Sequence, residues 1–254
     1  MKEDIDDLKF LATSDPLELA SSLETIFGKE VFRARLSKTF ENRAGNTSDC
    51  QTAIASLNLR GIVTLNYDNG HEVAYANKIH RHAVVGRSQD SAILTRWLQE
   101  DIFEQRDLPI LHFHGDTTDP EKMVLTGDDY NQFYADPLSE ALIMQLWRTN
   151  RLLVLGFGFS DPFLTRVAEK TLRSLASESR HFALIGRRQS EPTLAAHRQR
   201  FAKKYRLTPV FYEIKEKFDS NGLLESEDHS ALPELAPVSL DTTLFNGTEK
   251  ERGS

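Results

Sequence analysis

Apolar positions along this chain follow two different periods, and the alternation between them predicts helices interleaved with buried strands. Ser14-Asp15-Pro16 supplies a cap with proline at the first helical position, after which Leu17, Leu19, Ala20, Leu23 and Ile26-Phe27 recur at helical spacing until Gly28. Val31, Phe32, Leu36 and Phe40 mark a second helix over Glu30–Phe40. Beyond a polar loop, Thr47-Ser48-Asp49 caps a third helix with Ala53, Ile54 and Leu57 facing inward. A strand over Gly61–Leu65 follows, then a helix from Asn69 through Tyr75. Asn77–Gln89, with Lys78, Arg81, Arg87, His80 and His82 and no clean period, reads as loop. Ser91–Phe103 is an amphipathic helix, Leu108–Phe113 a strand and Met123–Leu125 a short one. Helices then start at Thr126 and at Asp136-Pro137, the latter running to about Trp147. Leu152–Gly156 is a further buried strand, followed by a helix from Pro162 to about Ala176. Strands at Phe182–Ile185 and Pro209–Tyr212 flank a helix over Pro192–Tyr205. Strands alternating with helices of this length predict an α/β fold, a parallel sheet covered on both faces.

Three of these strands end abruptly in polar or glycine-rich tips, and in open α/β sheets the C-terminal tips are where ligands bind. Ile62-Val63-Thr64-Leu65 runs into Asn66-Tyr67-Asp68. Ile110-Leu111-His112-Phe113 closes on His114-Gly115-Asp116, and Leu152–Leu155 leads to Gly156-Phe157-Gly158-Phe159-Ser160-Asp161-Pro162. The expectation is that the three tips meet at one site with Asn66 and His114 at its centre. Asn66 and Asp68 either bind vicinal ribose hydroxyls or satisfy backbone amides in the exit turn. His114 either acts as a general base near neutral pH or is hydrogen-bonded into the crevice wall. The glycines before Pro162 make an anion or ribose-phosphate site at a helix N-terminus, or only permit tight packing. Arg187-Arg188 is a candidate phosphate contact or a solvated surface pair, and Phe157, Phe159 and Phe163 read as core.

Composition narrows the function. The chain has 254 residues, enough for one large domain. A net charge of −7 argues against general nucleic-acid binding. Cys50 is the single cysteine, so neither a disulfide framework nor a cysteine-based zinc site is expected, which suits a reducing cytoplasm. His112 and His114 suggest a metal pair, but no third ligand stands at a recognisable spacing, and no metal is expected. No stretch approaches the length of a membrane span, and the acidic start is unlike a secretory signal. Residues past about Leu235 are rich in Pro, Ser, Thr and charge and read as a disordered tail. The expected organisation is a helical part over 1–60, an α/β domain over 61–235 and a tail over 236–254.

Taken in order, the tips resemble those of sirtuin-like NAD-hydrolase domains. Thr64-Leu65-Asn66-Tyr67-Asp68 is similar to the family's Thr-Thr-Asn-Tyr-Asp, and Leu111-His112-Phe113-His114-Gly115 to its Leu-x-x-His-Gly. Gly156–Pro162 resembles its Gly-(Tyr/Phe)-(Gly/Ser)-(Phe/Leu)-Ser-Asp-Pro block, and Leu125–Tyr130 and Asp228–Leu232 match further habits of the group. The resemblance implies a Rossmann-like, doubly wound domain that takes NAD as substrate and breaks its nicotinamide–ribose bond. It implies that Asn66 holds the reactive ribose or the attacking water, and that His114 serves as base or orients the ribose hydroxyls. Asp68 and Thr64 fall on the same sugar's side, and Gly156, Ser160 and Asp161 line the adenosine side. Members often act as antiphage effectors that deplete NAD, within a larger protein or beside other subunits or a sensor module. The four-cysteine zinc module of sirtuin deacylases has no counterpart here.

One family element is missing. The fold should begin with a strand and a Gly-Ala-Gly-x-Ser turn, yet no glycine precedes Gly28, and Leu8–Ser14 lacks both glycines. That first strand is central, so its loss should leave two half-sheets with unpaired edges. The chain is expected to be a fragment of a longer protein, to have closed the gap with another strand, or to take one from a partner. A catalytically degenerate NAD or ADP-ribose sensor or scaffold domain is the alternative to an active hydrolase.

Overall fold

The computed structural model describes residues 15–41, 47–104, 107–156, 165, 169, 181–187, 194–213, 215–218 and 224–228. Helices α1 (Pro16–Phe27) and α2 (Lys29–Glu41) are joined at Gly28, whose φ of 80° lies where only glycine is unstrained. Asp15 caps α1 by accepting from the Glu18 amide at 3.1 Å. Helix α3 (Asp49–Ala55) opens with a capping box between Ser48 and Gln51. It is short, and its inward residue is Ala55, whereas Ala53 faces solvent.

β1 (Ile62–Thr64), α4 (Gly70–Ile79), β2 (Val84–Arg87), α5 (Ser91–Leu98) and β3 (Pro109–His112) follow, then α6 (Gly127–Ala135) and α7 (Pro137–Thr149). The three strands form a parallel sheet in the order β1-β3-β2, with Thr64, His112 and Arg87 aligned at its C-terminal edge. On one side Leu111 and Phe113 pack with Leu94, Trp97, Phe133, Leu142 and Ile143; on the other, Ile110 packs with Ala55, Ala74 and Tyr75. Helices therefore cover both faces, as the solid apolar run of β3 requires. Each fully buried Ile or Leu in that strand contributes about 1.5–3 kcal/mol.

Two local expectations are corrected. β2 falls inside the stretch read as loop, because its four residues are flanked by charge and show no alternation of their own. Met123–Leu125 is buried but is not a strand. Its backbone groups are satisfied one by one: the Val124 amide donates to the His114 carbonyl, and the carbonyls of Met123 and Val124 accept from Arg33 and Tyr67.

Arg33 makes that loop possible. It is fully buried on α2 and donates to Glu24, to the carbonyls of Glu121 and Met123, and to Asp129 in the capping box of α6. A guanidinium is tolerated there only because acceptors surround it.

A second set of elements comprises β4 (Leu153–Val154), β5 (His181–Arg187), α8 (Leu194–Tyr205) and β6 (Leu207–Glu213), with the strands parallel in the order β4-β5-β6. An antiparallel hairpin of β7 (Lys215–Phe218) and β8 (Leu224–Asp228) was not foreshadowed by the apolar pattern. By compactness the chain divides into residues 1–148 with 162–167, and residues 149–161 with 168–254. The fold is α/β and Rossmann-like, with a partial sheet: among the described residues the six parallel strands form two three-stranded sheets, and β1 and β4 each pair on one side only. The helix expected from Pro162 lies outside the described residues except for helical Thr165 and Glu169, and the tail over 236–254 lies outside them entirely.

Candidate functional site

The tips of β1 and β3 are neighbours by construction, since the Phe113 amide donates to the Thr64 carbonyl at 2.8 Å. Thr64 is buried, and its hydroxyl oxygen accepts from the Asn66 amide at 3.1 Å, which turns the chain out of the strand. Asn66 itself is exposed. Tyr67 pins the next step of the turn: its hydroxyl donates to the Val124 carbonyl at 2.6 Å, and its ring packs 5.5 Å from that of Phe40. Asp68 accepts through Oδ1 from the Gly70 amide at 2.8 Å and from the Gln51 side chain at 3.4 Å. One carboxylate oxygen of Asp68 thus does the backbone work common for Asp in turns, while Oδ2 has no partner among the described residues. A side chain at Gly70 would collide with Gln51 and Asp68.

Beside this turn stands His112, only 1% exposed. Its Nδ1 lies 3.0 Å from the Asn66 carbonyl and its Nε2 2.5 Å from Glu72 Oε1. A carbonyl and a carboxylate only accept, so this pair of partners favours the form in which both ring nitrogens donate, the imidazolium. Burial pushes the His112 pKa down, but the hydrogen bond and charge of Glu72, the Asn66 carbonyl and Asp116 outweigh it, and the net direction is up. Neighbouring His71 goes the other way: burial lowers its pKa, and the attraction of Glu72 and Asp68 does not make up the difference.

His114, two residues on, has a different surrounding. It is 2% exposed, enclosed by the rings of Phe113, Tyr130, Phe133 and Tyr134, with Nε2 2.9 Å from the Tyr134 hydroxyl. Burial takes its pKa down to about 4, so it is neutral at neutral pH. Gly115 then adopts φ +82°, and a side chain there would press on the Lys122 carbonyl and the Gln89 amide.

The rim is completed by an ion pair between Arg87 Nε and Asp116 Oδ2 at 2.5 Å, with Thr118 bonded to both residues. Burial raises the Asp116 pKa, but Thr118 and Arg87 override it and hold the carboxyl below its usual range. Both amide atoms of Gln89, His71 Nδ1 and Glu72 Oε2 are buried without a hydrogen-bond partner among the described residues. Gly156 follows β4 with φ +62° and is exposed, with open space around it. It belongs to the second unit, and Ser160 and Asp161 lie outside the described residues, as do Phe157, Phe159, Phe163 and Arg188. Among the described residues no group of three or more His, Cys, Asp or Glu is placed to hold a metal ion.

The sequence model of the SIR2-like domain matches residues 60–210, more than half of the chain and the span that carries every tip described above. The chain belongs to the SIR2-like family. No curated protein matches it significantly. Membership gives the chain an NAD-related function in general. Three buried or half-buried polar residues near these tips escaped the sequence reading. His112 was weighed only as half of a metal pair, Glu72 only as part of a helix start, and Gln89 not at all. The one available signal was position: His112 ends a buried strand, and Glu72 sits in the first turn of the helix that follows the Asn66 tip.

Proposed function

We propose that this SIR2-like chain binds NAD and hydrolyses its nicotinamide–ribose bond. The observation that carries the reading is Asn66: an exposed carboxamide at the β1 tip of a family domain, on backbone held by Thr64 and His112. In this reading the Asn66 amide holds a ribose hydroxyl or the attacking water, and Asp68 Oδ2 accepts from the same sugar. Water forms the new bond to the anomeric carbon as the carbon–nitrogen bond breaks, the electron pair leaves with nicotinamide, and the water proton passes to solvent. The low pKa of His114 supports an orienting role, relayed with Tyr134, over that of a base near neutral pH. Gly156, Ser160 and Asp161 would serve the adenosine side, and Thr64 would shape the sugar side. In its wider form the proposal is a cytoplasmic antiphage effector that depletes NAD, working with other subunits or a sensor module. No helix of the described residues is long and apolar enough to cross a membrane, and the acidic charge gives no support to nucleic-acid binding.

The enclosure of His114 favours one competing reading, an NAD or ADP-ribose sensor without turnover. Incubation with NAD and measurement of free nicotinamide separates the two. Hydrolysis predicts release that Asn66→Ala and His114→Ala both suppress; a sensor predicts ligand-dependent thermal stabilisation with no release. Equal release from wild type and both variants would overturn the hydrolase assignment.

A further inference from the structure

We infer that His112, bonded through both ring nitrogens, is the positioning residue of the Asn66 tip, and that Glu72 sets it. The inference rests on the hydrolase reading for its functional consequence, but its structural core stands apart from it. Among the described residues the Asn66 carbonyl accepts from His112 Nδ1 at 3.0 Å. That bond, with the Thr64 hydroxyl on the Asn66 amide at 3.1 Å, fixes both peptide groups flanking the Asn66 side chain. His112 is held in turn by Glu72 at 2.5 Å, so the orientation of the carboxamide depends on a side chain from the first turn of α4.

The charges around His112 make this link sensitive to protons. Glu72 and His71 face it from α4, and Asp116, itself paired with Arg87, faces it from the loop after β3. Asp68, which faces His71, lies in the turn between β1 and α4. With the imidazolium present, both bonds are charge-assisted. After deprotonation one ring nitrogen loses its hydrogen and faces an acceptor with a lone pair, so either the Asn66 carbonyl or Glu72 loses its donor. The Asn66 tip should then loosen as pH rises through the raised His112 pKa. A displaced catalytic amide costs turnover more than binding, since misplacement by an ångström can reduce rates by about a hundredfold.

Two measurements on the whole chain test this, and the first needs no NAD. In a histidine-resolved NMR titration, His112 should change charge above the ordinary histidine range, and the Asn66 side-chain amide resonances should follow the same midpoint. In Glu72→Gln, which preserves shape and removes the charge, both midpoints should fall together. Asn66 resonances that ignore the His112 titration, or midpoints unchanged by Glu72→Gln, would overturn the inference whether or not the chain cleaves NAD. Where nicotinamide is released, its rate should decline at alkaline pH with that midpoint. Glu72→Gln should shift the decline to lower pH and reduce kcat by about ten- to a hundredfold, with KM little changed. A purely structural Glu72 would leave the pH profile in place. Absence of release from wild type refutes the hydrolase proposal, and the titration still decides the role of His112.

Discussion

His112 and His114 leave the same strand two residues apart, yet the protein treats them in opposite ways. His112 is given two acceptors, which favour its charged form, whereas His114 is given aromatic rings and one hydroxyl, which favour its neutral form. Both are almost completely buried, so burial alone does not determine the protonation state of a histidine. What decides is whether a carboxylate accompanies it. Glu72, with the Asn66 carbonyl and Asp116, outweighs desolvation at His112, and among the described residues no carboxylate does the same at His114. The polar half of the β3 tip therefore offers charge to the Asn66 turn, and the aromatic half offers a rigid wall.

The largest test of this division is Phe113→Ala. Phe113 is buried between the two histidines but belongs to the aromatic half, stacking near His114 and meeting Phe133 edge-on at 4.8 Å. Its removal should cost roughly 3–5 kcal/mol in a urea unfolding experiment. With water admitted, the His114 pKa should rise towards its ordinary value while the His112 titration stays in place. Movement of both would show that the two halves are one environment.

Acid titration comes next in size. His114 has a folded-state pKa of about 4 against an ordinary 6.5, so its neutral form contributes stability in full above pH 6.5. That contribution is lost as pH falls towards 4, and amounts to something on the order of 3 kcal/mol. His114→Phe should flatten the urea midpoint across this window. Asp116 and Asp129, whose pKa values are depressed, should still give their own loss below about pH 4.

Glu72→Gln probes the polar half with the opposite sign. A raised His112 pKa means its stabilising contribution is complete below the ordinary value of 6.5 and disappears as pH rises through the folded value. The substitution should therefore cost roughly 1.5–3 kcal/mol at pH 6, the range for hydrogen bonds to charged groups, and less at pH 9. A cost that grows with pH would reverse the assignment of charge to His112.

How much of this was legible in the sequence depended on how local the cause was. β1 and β3 are solid apolar runs ending in polar residues, and such runs declare themselves. β2 did not: its four residues owe their place to parallel neighbours and to a contact in which Gly86 lets Ile93 approach too closely for any side chain. Arg33 drew no notice in the sequence, because its acceptors at 121–129 are nearly a hundred residues away. The Glu72–His112 pair is separated by 40 residues and exists only once α4 packs beside the sheet. For the expected glycine-turn strand the residues concerned lie outside the described ones, and among the described residues β1 and β4 each pair on one side only.

The smallest expected effect on stability is the most informative about function. The Asn66 side chain is exposed, and the bonds that shape its turn use its backbone amide and carbonyl, which alanine retains. Asn66→Ala should therefore change unfolding free energy by no more than about 0.5 kcal/mol, as for other surface substitutions away from structural contacts. The His112 titration should also be unaltered, because its acceptor is the carbonyl. If nicotinamide release nevertheless falls by about a hundredfold or more, the carboxamide acts on substrate and not on the fold, since only transition-state interactions lower turnover without touching stability. A variant that unfolds more readily and loses activity in proportion would place Asn66 with Thr64 and Tyr67, among the residues that build the tip.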